Sequence, residues 1–310
     1  MNNSSHSHDK SYAPHVALLL VQMTFGSLPV IGKIVLKIIP SFALVGFRVG
    51  ITALALFLVQ RFRGDLRLAR RADYWRFLVL SFFGVTLNQF LFVSGLALTK
   101  ASNTSLLAVT IPIFALTVGS VLGVERLRSV TILGIVAAAV GVVLLIDPRN
   151  ASFSSETTLG DVLIILNSLS YGVYVVISKD VITRNGALKS IAWVFIFASL
   201  ICVPVGFYSL SGVRISNVSP LIWFLVLYIA LVATLLPYLL NAWALARVNP
   251  SVVAVYIYLQ PLIGFSTAVV FLAEKVTLWT IFAAILIFSG VFLVTRKRKL
   301  EINESHASIG

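Results

Sequence analysis

Residues Phe25–Lys33 read FGSLPVIGK, and residues Tyr171–Lys179 read YGVYVVISK. Both run aromatic, Gly, six residues, Lys, and the second lies 146 positions after the first in a chain of 310 residues. Working outward, ALTK (97–100) is matched by ALAR (244–247), 147 positions on. Pro112, Glu125 and Gly141 are matched at identical intervals by Pro261, Glu274 and Gly290, each 149 positions on. The chain is written twice, with a few residues inserted along the second copy.

Composition says where such a chain lives. Hydrophobic residues make up 59% and charged residues 11%, against about 25% charged in a soluble domain. Too few charges remain to cover a water-facing surface, so this is an integral membrane protein. A helix needs about 20 apolar residues to cross roughly 30 Å of hydrocarbon. Ten segments qualify: 14–36, 41–60, 77–97, 102–122, 129–146, 159–178, 190–210, 220–242, 250–272 and 277–295. These long unbroken runs exclude a barrel, whose strands alternate, and the backbone must satisfy itself in lipid. The fold class is therefore all-α, with ten transmembrane helices arranged as two inverted five-helix repeats.

Orientation follows from Lys and Arg. With ten spans both termini share one side, and the loops there carry 17 basic residues against 6 on the other, with Arg48 inside a span. The positive-inside rule places both termini in the cytoplasm, and RKRK (296–299) after the last span agrees. The first thirteen residues lack a signal-peptide pattern, so the first apolar segment is expected to be retained. Five spans per copy is an odd number, so the second copy enters the membrane from the opposite side. Inverted repeats of this kind let two halves rock about a central site.

Aromatic-Gly and Lys closing span one, an Arg in span two, and Pro to Glu across spans four and five, in that order and twice over, resemble the EamA-type transporters of the drug/metabolite transporter superfamily. The resemblance runs from about residue 14 to 296. It implies two EamA-like repeats, 14–146 and 159–296, between short cytoplasmic tails at 1–13 and 297–310. It also implies a central cavity, spans five and ten toward the periphery, and export of metabolites, often amino acids. One position departs: Val194 stands where a second Arg would match Arg48, so any role of the arginine is asymmetric.

Polar side chains inside spans mark the candidate site. None of the eleven Asp and Glu falls well inside a span, which disfavours a cationic substrate and proton carriage on a buried carboxylate. Arg48 lies roughly 10 Å deep by helix rise, at a cost of about 2.5–3.5 kcal/mol near the bilayer centre. It either faces the cavity and pairs with a substrate carboxylate or phosphate, or serves as a structural arginine bonded to backbone carbonyls. Gln22 in span one is repeat-equivalent to Ser168 in span six, beside Tyr171 and Tyr174. Span three adds Asn88 and Gln89, span eight Tyr238 and Asn241, and span nine Tyr256 and Gln260. These eleven are the substrate-binding candidates, and helix-to-helix bonding is the alternative for each. Aromatics beside amides suit an apolar side chain on an otherwise polar molecule. Pro112 and Pro261 are expected to kink their spans as gating points, and Gly26 and Gly172 to allow close helix approach. Lys33 and Lys179 are read as helix-end cations, and Glu125 and Glu274 as fixing the turns after spans four and nine.

Several classes drop out. The histidines sit at or near the termini and Cys202 is the single cysteine, so no cofactor or metal site is expected. Neither a His-Glu-x-x-His nor a Gly-x-Ser-x-Gly motif occurs, and an enzyme is not expected. The formal charge of +13 belongs to loops that set orientation, so nucleic acid is not a partner. No P-loop is present, which leaves a secondary transporter in the plasma (bacterial inner) membrane. Its partners are a small-molecule substrate and the lipid bilayer, and a homodimer is left open. A flippase for lipid-linked intermediates and a non-transporting sensor or scaffold are the alternatives.

Overall fold

A computed structural model describes residues 12–63, 66–146, 157–211, 218–263 and 278–295. The described residues contain helices and turns and no strand. In chain order the helices are α1 (Ala13–Leu36), α2 (Ser41–Arg63), α3 (Arg71–Leu98), α4 in two pieces (Ala101–Leu107 and Thr110–Val121), α5 (Ser129–Ile146), α6 (Thr158–Asn185), α7 (Ala187–Tyr208), α8 (Pro220–Leu245), α9 (Pro250–Ile263) and α10 (Leu278–Thr295). Six of them, α1, α2, α3, α6, α7 and α8, are long and apolar enough to cross a membrane. The others are shorter apolar helices. Glu274, the tails before residue 12 and after residue 295, and their histidines lie outside the described residues.

Two helices carry π turns. Phe82–Thr86 widens α3, and Leu231–Leu235 widens α8, at corresponding places 149 positions apart. A π turn misaligns backbone carbonyls, and in lipid those carbonyls need other donors. Side chains supply them, three from other helices and one from the second turn itself. Ser170 Oγ donates to Phe83 O at 2.7 Å and Tyr238 Oη to Gly84 O at 2.8 Å. At the second turn, Thr52 Oγ1 donates to Ala230 O at 2.9 Å, and Thr234 Oγ1 to Ile229 O at 2.7 Å. Pro237 stands two residues past the end of the second turn.

The prolines act one turn before themselves. Proline removes the bond to the carbonyl four residues back and crowds it. Accordingly α4 breaks at Ala108–Val109, ahead of Pro112, and α9 tightens into a 3₁₀ turn over Tyr256–Leu259, ahead of Pro261. Tyr258 Oη donates to the carbonyl of Val109 at 2.9 Å, joining one break to the other.

Packing follows a paired scheme. α2 packs on α7, and α5 on α10. α3 packs on α6 as α8 packs on α1, and α3 on α7 as α8 on α2. α5 and α10 also expose large apolar side chains outward, Leu133 and Phe288 among them, which fits the peripheral place expected of them. At Gly172 a Cβ would meet Ala115 N at 3.0 Å, tight enough that any larger residue must push α4 back. Gly26 differs from that expectation: its nearest neighbour would be Ile263 at 4.0 Å, an ordinary contact.

Side chains tie the loops into two clusters at opposite ends of the helices. At one, the buried Asp73 carboxylate accepts from Arg184 Nε and Nη2 at 3.1 and 2.8 Å and from Asn185 Nδ2 at 2.9 Å. Lys189 Nζ donates to Arg67 O at 2.9 Å, and Trp193 Nε1 to Leu66 O at 2.9 Å. At the other end, buried Asp161 accepts from Thr99 Oγ1 at 2.5 Å and Asn103 Nδ2 at 3.0 Å.

Candidate functional site

The expected polar residues fall into two groups in the interior. The first lies where α3, α6 and α8 meet. Tyr238 Oη accepts from Gln89 Nε2 at 2.9 Å while donating to Gly84 O, and lies 3.4 Å from Asn88 Oδ1. Asn167 Nδ2 donates to Asn88 O at 2.9 Å, and Asn241 Nδ2 donates to Tyr171 Oη. Tyr171 and Tyr174 stand 6.0 Å apart by ring centroids, and Phe195 meets Tyr238 edge-on at 5.0 Å. Tyr174 lies over Gly84 so closely that any Cβ there would enter its ring. The π turn of α3 and this tyrosine thus fit one another. Three tyrosines, one glutamine and three asparagines make a region that hydrogen-bonds and also presents flat apolar faces.

The second group joins α1 to α9. Gln260 Nε2 donates to Gln22 Oε1 at 2.8 Å, and the Tyr256 hydroxyl lies 2.8 Å from His15 Nδ1. Ser168 belongs to neither group: its hydroxyl donates to Ile164 O of its own helix at 3.0 Å.

Arg48 sits beside the first group. It is 1% exposed, and Tyr238 lies within electrostatic reach. Its Nε and Nη2 donate to Thr234 Oγ1 at 3.1 and 2.9 Å, while Nη1 is buried without a partner. Thr234, fully buried in the second π turn, is the residue the candidate set lacked. A threonine inside a span carries no sign of an arginine partner 186 positions away. Val194, the counterpart of Arg48, is buried and apolar.

Lys33 stands in the last turn of α1, as expected, while Lys179 and Glu125 depart from expectation. Lys179 lies within α6 rather than closing it. Its Nζ donates to Asn249 Oδ1 at 3.1 Å, and Lys33 Nζ donates to Thr99 O at 2.6 Å. Each lysine reaches the turn following the third helix of a repeat. Glu125 accepts from the backbone N–H of Ser251 at 3.0 Å and from its hydroxyl. It therefore anchors the start of α9, while the backbone turn after α4 closes on Gly119 O.

A bundle of long apolar helices around a buried polar interior, with Arg48 buried beside it, defines a multi-pass membrane protein. The EamA-like transporter family matches residues 14–147 and again 158–296, so the chain belongs to that family and carries its domain twice. An uncharacterized transporter of Archaeoglobus fulgidus is 27% identical over 92% of this chain and 98% of its own length. The uncharacterized transporter YetK of Bacillus subtilis is 25% identical, over 94% of this chain and 89% of its own. A protein of Salmonella typhimurium named "Probable amino-acid metabolite efflux pump" is 26% identical over 89% of this chain and 92% of its own. A solved crystal structure superposes with a TM-score of 0.71 at 19% identity, covering 91% of this chain and 96% of that one, a likeness of fold.

Proposed function

We propose that the protein is a secondary transporter that exports amino acids or similar small metabolites by alternating access. In this reading the two family domains are five-helix repeats of opposite orientation, giving ten spans with both termini in the cytoplasm of a plasma (bacterial inner) membrane. One observation carries it. Gln89 bonds Tyr238 and Val109 bonds Tyr258, and each pair is 149 positions apart, the offset of the repeat itself. In a two-fold arrangement, a residue can touch its own counterpart only beside the axis. On this reading the axis passes through the polar interior, where a site shared by two rocking halves belongs. The matched π turns, the matched breaks ahead of Pro112 and Pro261, and the matched reach of Lys33 and Lys179 support the same symmetry.

The substrate class rests on the lining. Tyrosine rings and amides side by side in the polar interior suit a small molecule with one polar head and an apolar side chain, and the Salmonella relative's name is that of an amino-acid metabolite pump. Radiolabel counterflow tests the proposal. Purified protein in liposomes preloaded with unlabelled leucine should accumulate labelled leucine transiently, and other neutral amino acids should compete. No protein-dependent accumulation across a panel of amino acids and small metabolites would overturn it.

A further inference from the structure

Among the described residues, the buried charged side chains are Arg48, Asp73 and Asp161. Both carboxylates are already engaged: Asp73 by Arg184 and Asn185, Asp161 by Thr99 and Asn103. Arg48 alone has no counter-charge among the described residues. Its partner there is one neutral hydroxyl, which takes two N–H groups onto a single oxygen and leaves Nη1 with nothing. A guanidinium carries five N–H donors in a planar fork matched to an oxyanion. Buried and half-satisfied, it is poised for one.

We propose that Arg48 is the anchor for a substrate carboxylate, and that the substrate displaces Thr234 from the guanidinium when the interior opens. This rests on the transport reading above and narrows it: the carboxylate is the group a ligand must have, and the amine is secondary. A carboxylate is favoured over a phosphate on charge. A phosphate carries up to about two negative charges at neutral pH, and no second buried Lys or Arg lies among the described residues to meet the other. Displacement also has a mechanical consequence. Thr234 lies in the π turn of α8 and bonds Ile229 O just ahead of it, so anion binding withdraws the arginine from the widened segment of that helix. Tyr238 stands beside the anchor, with Phe195 packed edge-on against its ring, apolar surface of the kind an aliphatic side chain meets.

Ligand-dependent thermal stabilisation of the purified protein, at constant ionic strength, tests this without requiring transport. The probes are leucine, 4-methylpentanoate, which keeps the carboxylate and lacks the amine, and leucinamide, which keeps the amine and lacks the carboxylate. Leucine and 4-methylpentanoate should raise the midpoint of wild-type protein, since a ligand that binds the folded state stabilises it. Leucinamide should not. Arg48→Gln should weaken both carboxylates by about 10- to 100-fold, the scale of a charged hydrogen bond, and Arg48→Lys by less. Thr234→Val, which removes the competing hydroxyl, should tighten them. If Arg48→Gln does not fold, the Thr234→Val shift decides, because only a carboxylate landing on Arg48 feels it. Stabilisation by leucinamide equal to leucine, carboxylate binding unchanged in Arg48→Gln or in Thr234→Val, or no stabilisation by any probe would overturn the anchor. Stabilisation as expected with no counterflow would leave the anchor standing and sink the transport reading instead.

Discussion

The Tyr238 hydroxyl is the most economical point at which to test the interior. Tyr238→Phe removes one oxygen and keeps the ring, which stays edge-on to Phe195 at 5.0 Å, so no cavity larger than a hydroxyl opens. The loss is two hydrogen bonds. Gly84 O loses its donor in the π turn, and Gln89 Nε2 loses its acceptor. An interhelical hydrogen bond inside a membrane protein contributes about 0.6 kcal/mol on average and up to about 1.7. Two of them, each leaving a buried group behind, put the cost at about 1–3 kcal/mol. Reversible unfolding in mixed micelles, followed by tryptophan fluorescence, reads it. Gln89→Leu and the double variant complete a cycle, and a coupling of about 0.5–1.5 kcal/mol is expected for residues in direct contact. A Tyr238→Phe variant as stable as wild type, or additive effects in the cycle, would refute the reasoning. Either result would remove the contact between repeat-equivalent residues on which the proposed symmetry rests.

Other consequences follow from single contacts. Glu125→Ala strips two bonds from Ser251 at the start of α9, a loss comparable to a helix cap at about 0.5–2 kcal/mol. Purified yield should fall while ligand affinity per folded molecule holds; normal yield with weakened binding would reverse the assignment. Gly84→Ala drives a methyl into the Tyr174 ring and should cost about 1–3 kcal/mol as overpacking. The Gly84→Ala, Tyr174→Leu double variant should recover part of the midpoint in a thermal melt, and no recovery would mean that the ring is not what the methyl meets. Arg184→Ala strands the buried Asp73 carboxylate and should depress yield in membranes. Adding Asp73→Asn should restore it, since an amide needs no counter-charge; a double variant as poor as the single one would count against the ion pair.

Much of this architecture is local information repeated. Apolar runs long enough to cross lipid are contiguous, so composition alone marks the helices, and the doubled phrase at Phe25 and Tyr171 marks the two family domains. Arg48 stood out because a charge in an apolar run is expensive wherever it points, and Pro112 and Pro261 because a missing N–H disrupts the helix in any context. Tertiary structure alone decided the partners. Nothing near Thr234 in the chain names Arg48, and nothing near Asp73 names Arg184. Gly26 and Gly172 read alike as letters, yet only one has a backbone against it. Lys179 looked like a helix end because the apolar run stops there, but α6 continues to Asn185, where its polar last turn bonds Asp73 and the α2–α3 connection. The π turns of α3 and α8 carry no compositional mark, because a turn's width is set by what donates to its carbonyls. Burial and backbone satisfaction in lipid act along the chain and can be read from it. Hydrogen-bond partners and close approaches act across it, between residues that only packing brings together.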